Sequence, residues 1–154
     1  MINRLSGMNV TIFLAFTLLV GCGANKAEEE ARGFVQSYCS IMQDAYSRVD
    51  LKILGQMTTE KEMRKLIPLF QAMSVTGNSM KTEILEFKIK KAKVEENRAT
   101  VRTSERWRYW WTDQKTGVIT KPKHEESYDL EYNLLKVGGS WKVDSIKNLN
   151  DPGK

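Results

Sequence analysis

Tyr128-Asp-Leu-Glu-Tyr-Asn-Leu-Leu-Lys-Val-Gly-Gly-Ser-Trp-Lys-Val-Asp-Ser-Ile146 decides the fold. Tyr128, Leu130, Tyr132 and Leu134 alternate with Asp129, Glu131 and Asn133, the period of a strand with one buried and one wet face. Gly138-Gly139 suits a two-residue hairpin turn, whose central positions need positive φ. That turn sets Val137 opposite Ser140, Lys136 opposite Trp141 and Leu134 opposite Val143. The register brings the apolar residues of both strands to one face, so pattern and turn agree.

Working back from this hairpin, a period of two persists to about residue 80. Ile84, Glu86, Lys88 and Lys90 alternate with Leu85, Phe87, Ile89 and Lys91 as a first strand. Glu95-Glu-Asn97 is a turn. Ala99, Val101 and Thr103 open a second strand that continues through Glu105, Trp107, Tyr109 and Trp111. Asp113 to Gly117 is a loop, and the third strand is expected from Ser127 to Val137. Before residue 80 the period is helical. Ala31, Phe34, Val35, Tyr38, Cys39, Met42, Ala45, Tyr46 and Val49 recur at three- and four-residue spacing, predicting one amphipathic helix over 26–48. Asn25 with Glu28 reads as its start. Thr59-Glu-Lys-Glu62 is a second capping box, followed by Met63, Leu66, Ile67, Phe70 and Met73, with Pro68 set to kink the helix or begin a new turn.

Helices followed by a meander of four antiparallel strands make an α+β domain over 25–149, the helices packed on one face of a curved sheet, with a polar tail over 150–154. The element order resembles the nuclear-transport-factor-2-like (cystatin-like, SnoaL-like) superfamily, and residues 128–146 look much like its closing hairpin. The resemblance implies a cone in which the long N-terminal helix lies in the hollow of the sheet. It implies no particular activity, since the family includes isomerases, cyclases, dehydratases, transport factors and plain binding domains.

The first 22 residues form a separate unit. Arg4 is followed by an apolar stretch from Val10 to Val20 and then Gly21-Cys22, the layout of an export signal. The stretch is shorter than the roughly 20 apolar residues needed to span a bilayer. Leu19-Val20-Gly21-Cys22 resembles the lipobox of bacterial lipoproteins. The resemblance implies a signal peptide at 1–21, a lipid-bearing Cys22 and a location in the cell envelope, held in the membrane by acyl chains. Residues 22–24 leave only a short tether. Gly23 lacks the Asp associated with inner-membrane retention, which points to the outer membrane facing the periplasm if the source is Gram-negative.

Charge and cysteine content set further bounds. The chain carries +5, or +4 once Arg4 has left with the signal. That excess suits anionic headgroups or glycans and is too small and dispersed to suggest nucleic acid. With Cys22 acylated, Cys39 is alone, so no disulfide staples the domain. Its place in the helical stripe marks it as a small buried apolar residue. The single His124 lies among solvated charges in Thr120 to Glu126, without an orienting partner. No ligand constellation for a metal, no phosphate loop and no cofactor motif is present.

Two sets of residues remain as site candidates. Asp129 and Glu131 share the polar face of the third strand and, if buried together, would form an acid/base couple. The plainer reading makes that face solvated. Arg106-Trp-Arg-Tyr-Trp-Trp111 places Glu105, Trp107, Tyr109 and Trp111 on one face and Arg106, Arg108 and Trp110 on the other. Arg106, Arg108, Trp110 and Trp111 have the composition of a protein-binding or glycan-stacking surface. The expectation is therefore a membrane-anchored, non-catalytic binding or accessory module, for a protein, glycan or small apolar ligand. The alternative is a small isomerase- or dehydratase-type enzyme using Asp129 or Glu131 as a base.

Overall fold

The computed structural model describes residues 21–150. Residues 1–20 of the expected signal peptide, the Cys22 side chain and the last four residues of the tail lie outside the described residues. Among the described residues no helix is long and apolar enough to cross a membrane.

Helix α1 spans Gly21–Arg48. It runs back past Asn25, which therefore does not mark its start. Its stripe of Ala31, Val35, Tyr38, Cys39, Met42 and Ala45 is buried, as the spacing requires. After a 3-10 turn at Leu51–Leu54, capped by Asp50, helix α2 spans Glu60–Thr76. Thr59 caps it, its Oγ1 accepting the Glu62 N–H at 3.4 Å. The reciprocal half of the box is missing because the Thr59 N–H donates instead to Val143 O at 2.9 Å, tying the helix to the sheet. The buried Glu62 pairs with Lys65 at 2.7 Å. Pro68 is accommodated within the continuous helix. Gly77, at φ +66°, ends it by donating its N–H to Met73 O and Ser74 O.

Four strands follow: β1 Asn78–Glu95, β2 Arg98–Asp113, β3 Ile119–Val137 and β4 Ser140–Asn148. They form one antiparallel sheet in the order β1-β2-β3-β4. The closing hairpin has the expected register, Val137 opposite Ser140, Lys136 opposite Trp141 and Leu134 opposite Val143. Gly138 and Gly139 both have positive φ, 58° and 84°. β3 begins eight residues earlier than its sequence pattern indicates. Pro122 falls within that extension, where the pairing with β2 slips between Tyr109 and Trp111, so the missing N–H breaks no regular rung.

Irregularities also interrupt β1 at Ile84/Glu86 and Ile89/Lys91, and β4 at Asp144, opposite Asn133/Leu134. Such bulges bend strands and increase twist, which curves the sheet around the helices. Residues 57–59 cover the β4 edge through a parallel bridge of Thr58 to Val143. The core lies between the helices and the inner face of the sheet. Leu54, Phe70 and Met73 join the α1 stripe on one side. Ala92, Val101, Trp107, Tyr132, Leu134, Trp141 and Val143 supply the other. α1 crosses the sheet so that Cys39 reaches Tyr132 (3.4 Å) and Ser47 reaches Lys81 near the start of β1 (2.6 Å). The result is the helix-in-hollow α+β arrangement.

Candidate functional site

Alternation along β2 turns Val101, Thr103, Glu105 and Trp107 inward. Three of these are ordinary core residues. Glu105 is a carboxylate with 2% of its surface exposed. Burying it is tolerable only because donors meet it. The Thr103 hydroxyl donates to Oε1 at 2.6 Å and the Tyr132 hydroxyl to the same oxygen at 2.9 Å. The Trp107 indole N–H donates to Oε2 at 2.6 Å. The Cys39 sulfur lies 3.4 Å from the Tyr132 oxygen and extends the network to α1. Among the described residues no cationic side chain joins it.

This network borders a cavity of about 270 Å³ between α1 and the inner faces of β2, β3 and β4. Tyr38, Trp107, Tyr109, Tyr128 and Tyr132 supply aromatic walls, and Met42, Leu130 and Ile146 supply aliphatic ones. Asn148 and Glu105 contribute polar atoms. Tyr38 is 1% exposed, and its hydroxyl has no hydrogen-bond partner. Tyr128 is half-buried and donates to Glu126. His124 stacks on Tyr109, with ring centroids 5.4 Å apart.

Burial sets the acid–base character of the cavity. It pushes the Cys39 thiol up to about 12, the negative charge of Glu105 adding to the effect and the Tyr132 hydrogen bond opposing it. Burial likewise raises the Tyr132 phenol, as it does Tyr38 and Tyr109. Tyr128 is moved up to about 12 by burial first and its hydrogen bond to Glu126 second. At neutral pH these groups are all protonated, so the cavity offers hydroxyl and thiol donors but no nucleophilic anion from them.

The residues singled out from sequence lie elsewhere. Asp129 is exposed. Glu131 is buried at the sheet surface rather than in the cavity, its Oε2 accepting from Arg102 Nε at 2.8 Å, with Lys147 3.9 Å from Oε1. Arg106 bridges Glu86 (2.7 Å) and Glu125 (3.2 Å). Arg108 bridges Glu83 (2.8 Å) and Glu125 (2.7 Å). These cross-strand pairs lock β1, β2 and β3 together. Lys123 sits 4.7 Å over the Trp110 ring and Lys121 4.9 Å over the Trp111 ring. Trp111 packs against the core. The Arg and Trp residues are thus already engaged within the domain. Among the described residues no group of three His, Cys, Asp or Glu is placed to hold a metal ion.

No protein-family model matches the chain, and no curated protein matches it. Solved structures do. The intermembrane-space region of the chloroplast protein ARC6 superposes with a TM-score of 0.69 at 14% identity, over 79% of this chain and 95% of that one. A nuclear transport factor 2-like superfamily protein from Salmonella enterica serovar Typhimurium gives 0.54 at 8% identity, over 81% and 92%. A ketosteroid isomerase-like protein from Erwinia carotovora atroseptica gives 0.52 at 16%, over 81% and 98%. At such identities the likeness establishes the fold, which is nuclear-transport-factor-2-like, and nothing of the activity.

Proposed function

We propose that this chain is an envelope lipoprotein, held in the membrane through Cys22, whose domain is a non-catalytic binding module taking a small, largely apolar ligand into the cavity under α1. The observation that carries this reading is the roughly 270 Å³ aromatic-walled space with one buried carboxylate at its border. Concave apolar sites with a few placed polar groups are the usual form of small-molecule sites, and this one lies just below their usual range of about 300–1,000 Å³, which suits a ligand of few atoms. The proposed anchor rests on the Leu19-Val20-Gly21-Cys22 segment alone.

An enzyme of the same fold draws less support. Asp129 and Glu131 do not line the cavity. Glu105 does, but its oxygens already accept three hydrogen bonds. A carboxylate whose oxygens are taken up by the domain's own donors has no free position from which to reach a substrate proton.

Native mass spectrometry of the full chain, released from its host membrane in mild detergent, tests the proposal. The expected spectrum carries acyl mass on Cys22 and a further non-covalent mass of a small molecule, lost on activation. A spectrum of bare polypeptide, with no acyl group and no retained molecule, overturns both halves.

A further inference from the structure

The cavity has an unbalanced charge. Glu105 has 2% of its surface exposed, yet its hydrogen-bond partners among the described residues are all neutral: Thr103, Trp107 and Tyr132. Among the described residues no Lys, Arg or His lines the space beside it. Buried carboxylates ordinarily have a cationic partner or a metal, because neutral donors only partly replace the lost hydration. The same cavity is lined by the aromatic side chains of Tyr38, Tyr109, Tyr128, Tyr132 and Trp107. Aromatic faces carry negative quadrupole potential and attract cations within about 6 Å.

On the reading of this cavity as a ligand site, we infer that the ligand is a small organic cation, an amine or quaternary ammonium group on an apolar body. The cationic head sits among the aromatic rings beside the Glu105 carboxylate. An anionic ligand would face the buried carboxylate across a low-dielectric space and is excluded. A neutral apolar ligand would leave the carboxylate without a counter-charge.

The experiment uses choline and its uncharged carbon isostere, 3,3-dimethylbutan-1-ol, which share shape and hydroxyl and differ in charge. Each is titrated into the full chain while the Trp107 indole N–H resonance is followed by NMR. An uncharged aromatic probe, p-cresol, is titrated alongside. The expected result is binding of choline on the order of tenfold or more tighter than its isostere, the difference coming from charge. Glu105→Gln should abolish that preference. Because that change places an amide N–H₂ against the Trp107 donor, Tyr128→Leu at the half-exposed mouth provides a second variant. It should weaken choline by roughly threefold to tenfold while leaving the isostere nearly unchanged, as loss of a cation–π wall predicts. If the isostere or p-cresol binds at least as well as choline, the cation inference falls and the binding reading stands. If none of the three perturbs the cavity, both fall.

Discussion

The indole N–H of Trp107 donates to Glu105 Oε2 at 2.6 Å, from two residues further along the same strand. Side chains two apart on a strand share a face, so the sequence places a large aromatic and its acceptor side by side within the core. Thr103, two residues before Glu105, completes the row by donating to the other oxygen at 2.6 Å. Removing the carboxylate leaves the Thr103, Trp107 and Tyr132 donors buried without an acceptor, each worth about 1–3 kcal/mol. Glu105→Ala is therefore expected to destabilise the domain by about 3 kcal/mol or more, read from urea denaturation. A loss below about 1 kcal/mol would show that the carboxylate is not what satisfies those donors.

Cys39 lies at the inner end of the same network. An ordinary thiol is half ionised near about pH 8.5, whereas burial pushes Cys39 up to about 12. Its folded state holds a proton that the unfolded chain gives up, so this group's contribution to stability is fully present below about pH 8.5 and declines as pH rises towards 12. In the Cys22→Ala chain at about pH 8.5, Cys39 is expected to react with a disulfide reagent at least a hundredfold more slowly than a free thiol, and at the normal rate in denaturant. Fast modification of the folded protein would contradict the burial of the sulfur.

The hairpin was legible to the residue because two local signals, the alternation and Gly138-Gly139, agree on one register. The start of β3 was not, because Thr120 to Glu126 are exposed and carry no apolar alternation. Pairing with β2 makes that stretch a strand, and long-range pairing leaves no mark in a local pattern. The site was half legible. Glu105 stands in the inward register with Trp107 and Tyr109, and an acidic residue in an apolar row is a signal in itself. Asp129 and Glu131 drew attention through their spacing, but alternation fixes them on the face opposite Tyr128, Leu130 and Tyr132. The cavity's volume depends on how α1 crosses the sheet, which no strand pattern specifies.

Asp144 fastens β4 to the start of α2. Its carboxylate accepts from Lys61 Nζ at 2.7 Å and from the Thr59 hydroxyl at 3.2 Å. The Lys61 hydrogen bond, ahead of the cost of burial, holds it below the usual carboxylate range. A depressed folded value means that the stabilisation is fully present above about pH 4, where the unfolded carboxylate is already ionised. It is lost as pH falls through the lower folded value. The side chain is 31% exposed, so solvent screening limits the gain to about 0.5–1 kcal/mol. Asp144→Asn should lower stability by that amount at pH 7, and the gap to the unaltered chain should close as acid is added below about pH 4. A gap that stays constant with pH would mean that packing, not charge, holds the contact.

The proposed anchor at Cys22 makes a prediction about both attachment and geometry. α1 is continuous from Gly21 to Arg48, and at 1.5 Å per residue Ser47 lies roughly 35–40 Å along it from Cys22. Ser47 is held to Lys81 at the start of β1, so that end of the sheet and the adjoining β2–β3 loop are distant from the attachment point. The apolar side chains of Val118 and Ile119, 62% and 55% exposed, are consequently expected to face away from the bilayer. Cys22→Ala should abolish incorporation of labelled palmitate and move the chain from the membrane to the soluble fraction. The urea midpoint should stay unchanged, because the core begins only at Ala31. A reagent quenched by membrane-bound nitroxides, placed on an introduced Cys at Val118, should escape quenching in the anchored protein. Strong quenching there would reverse the proposed orientation, and palmitate on the Cys22→Ala chain would remove the anchor from the residue to which it is assigned.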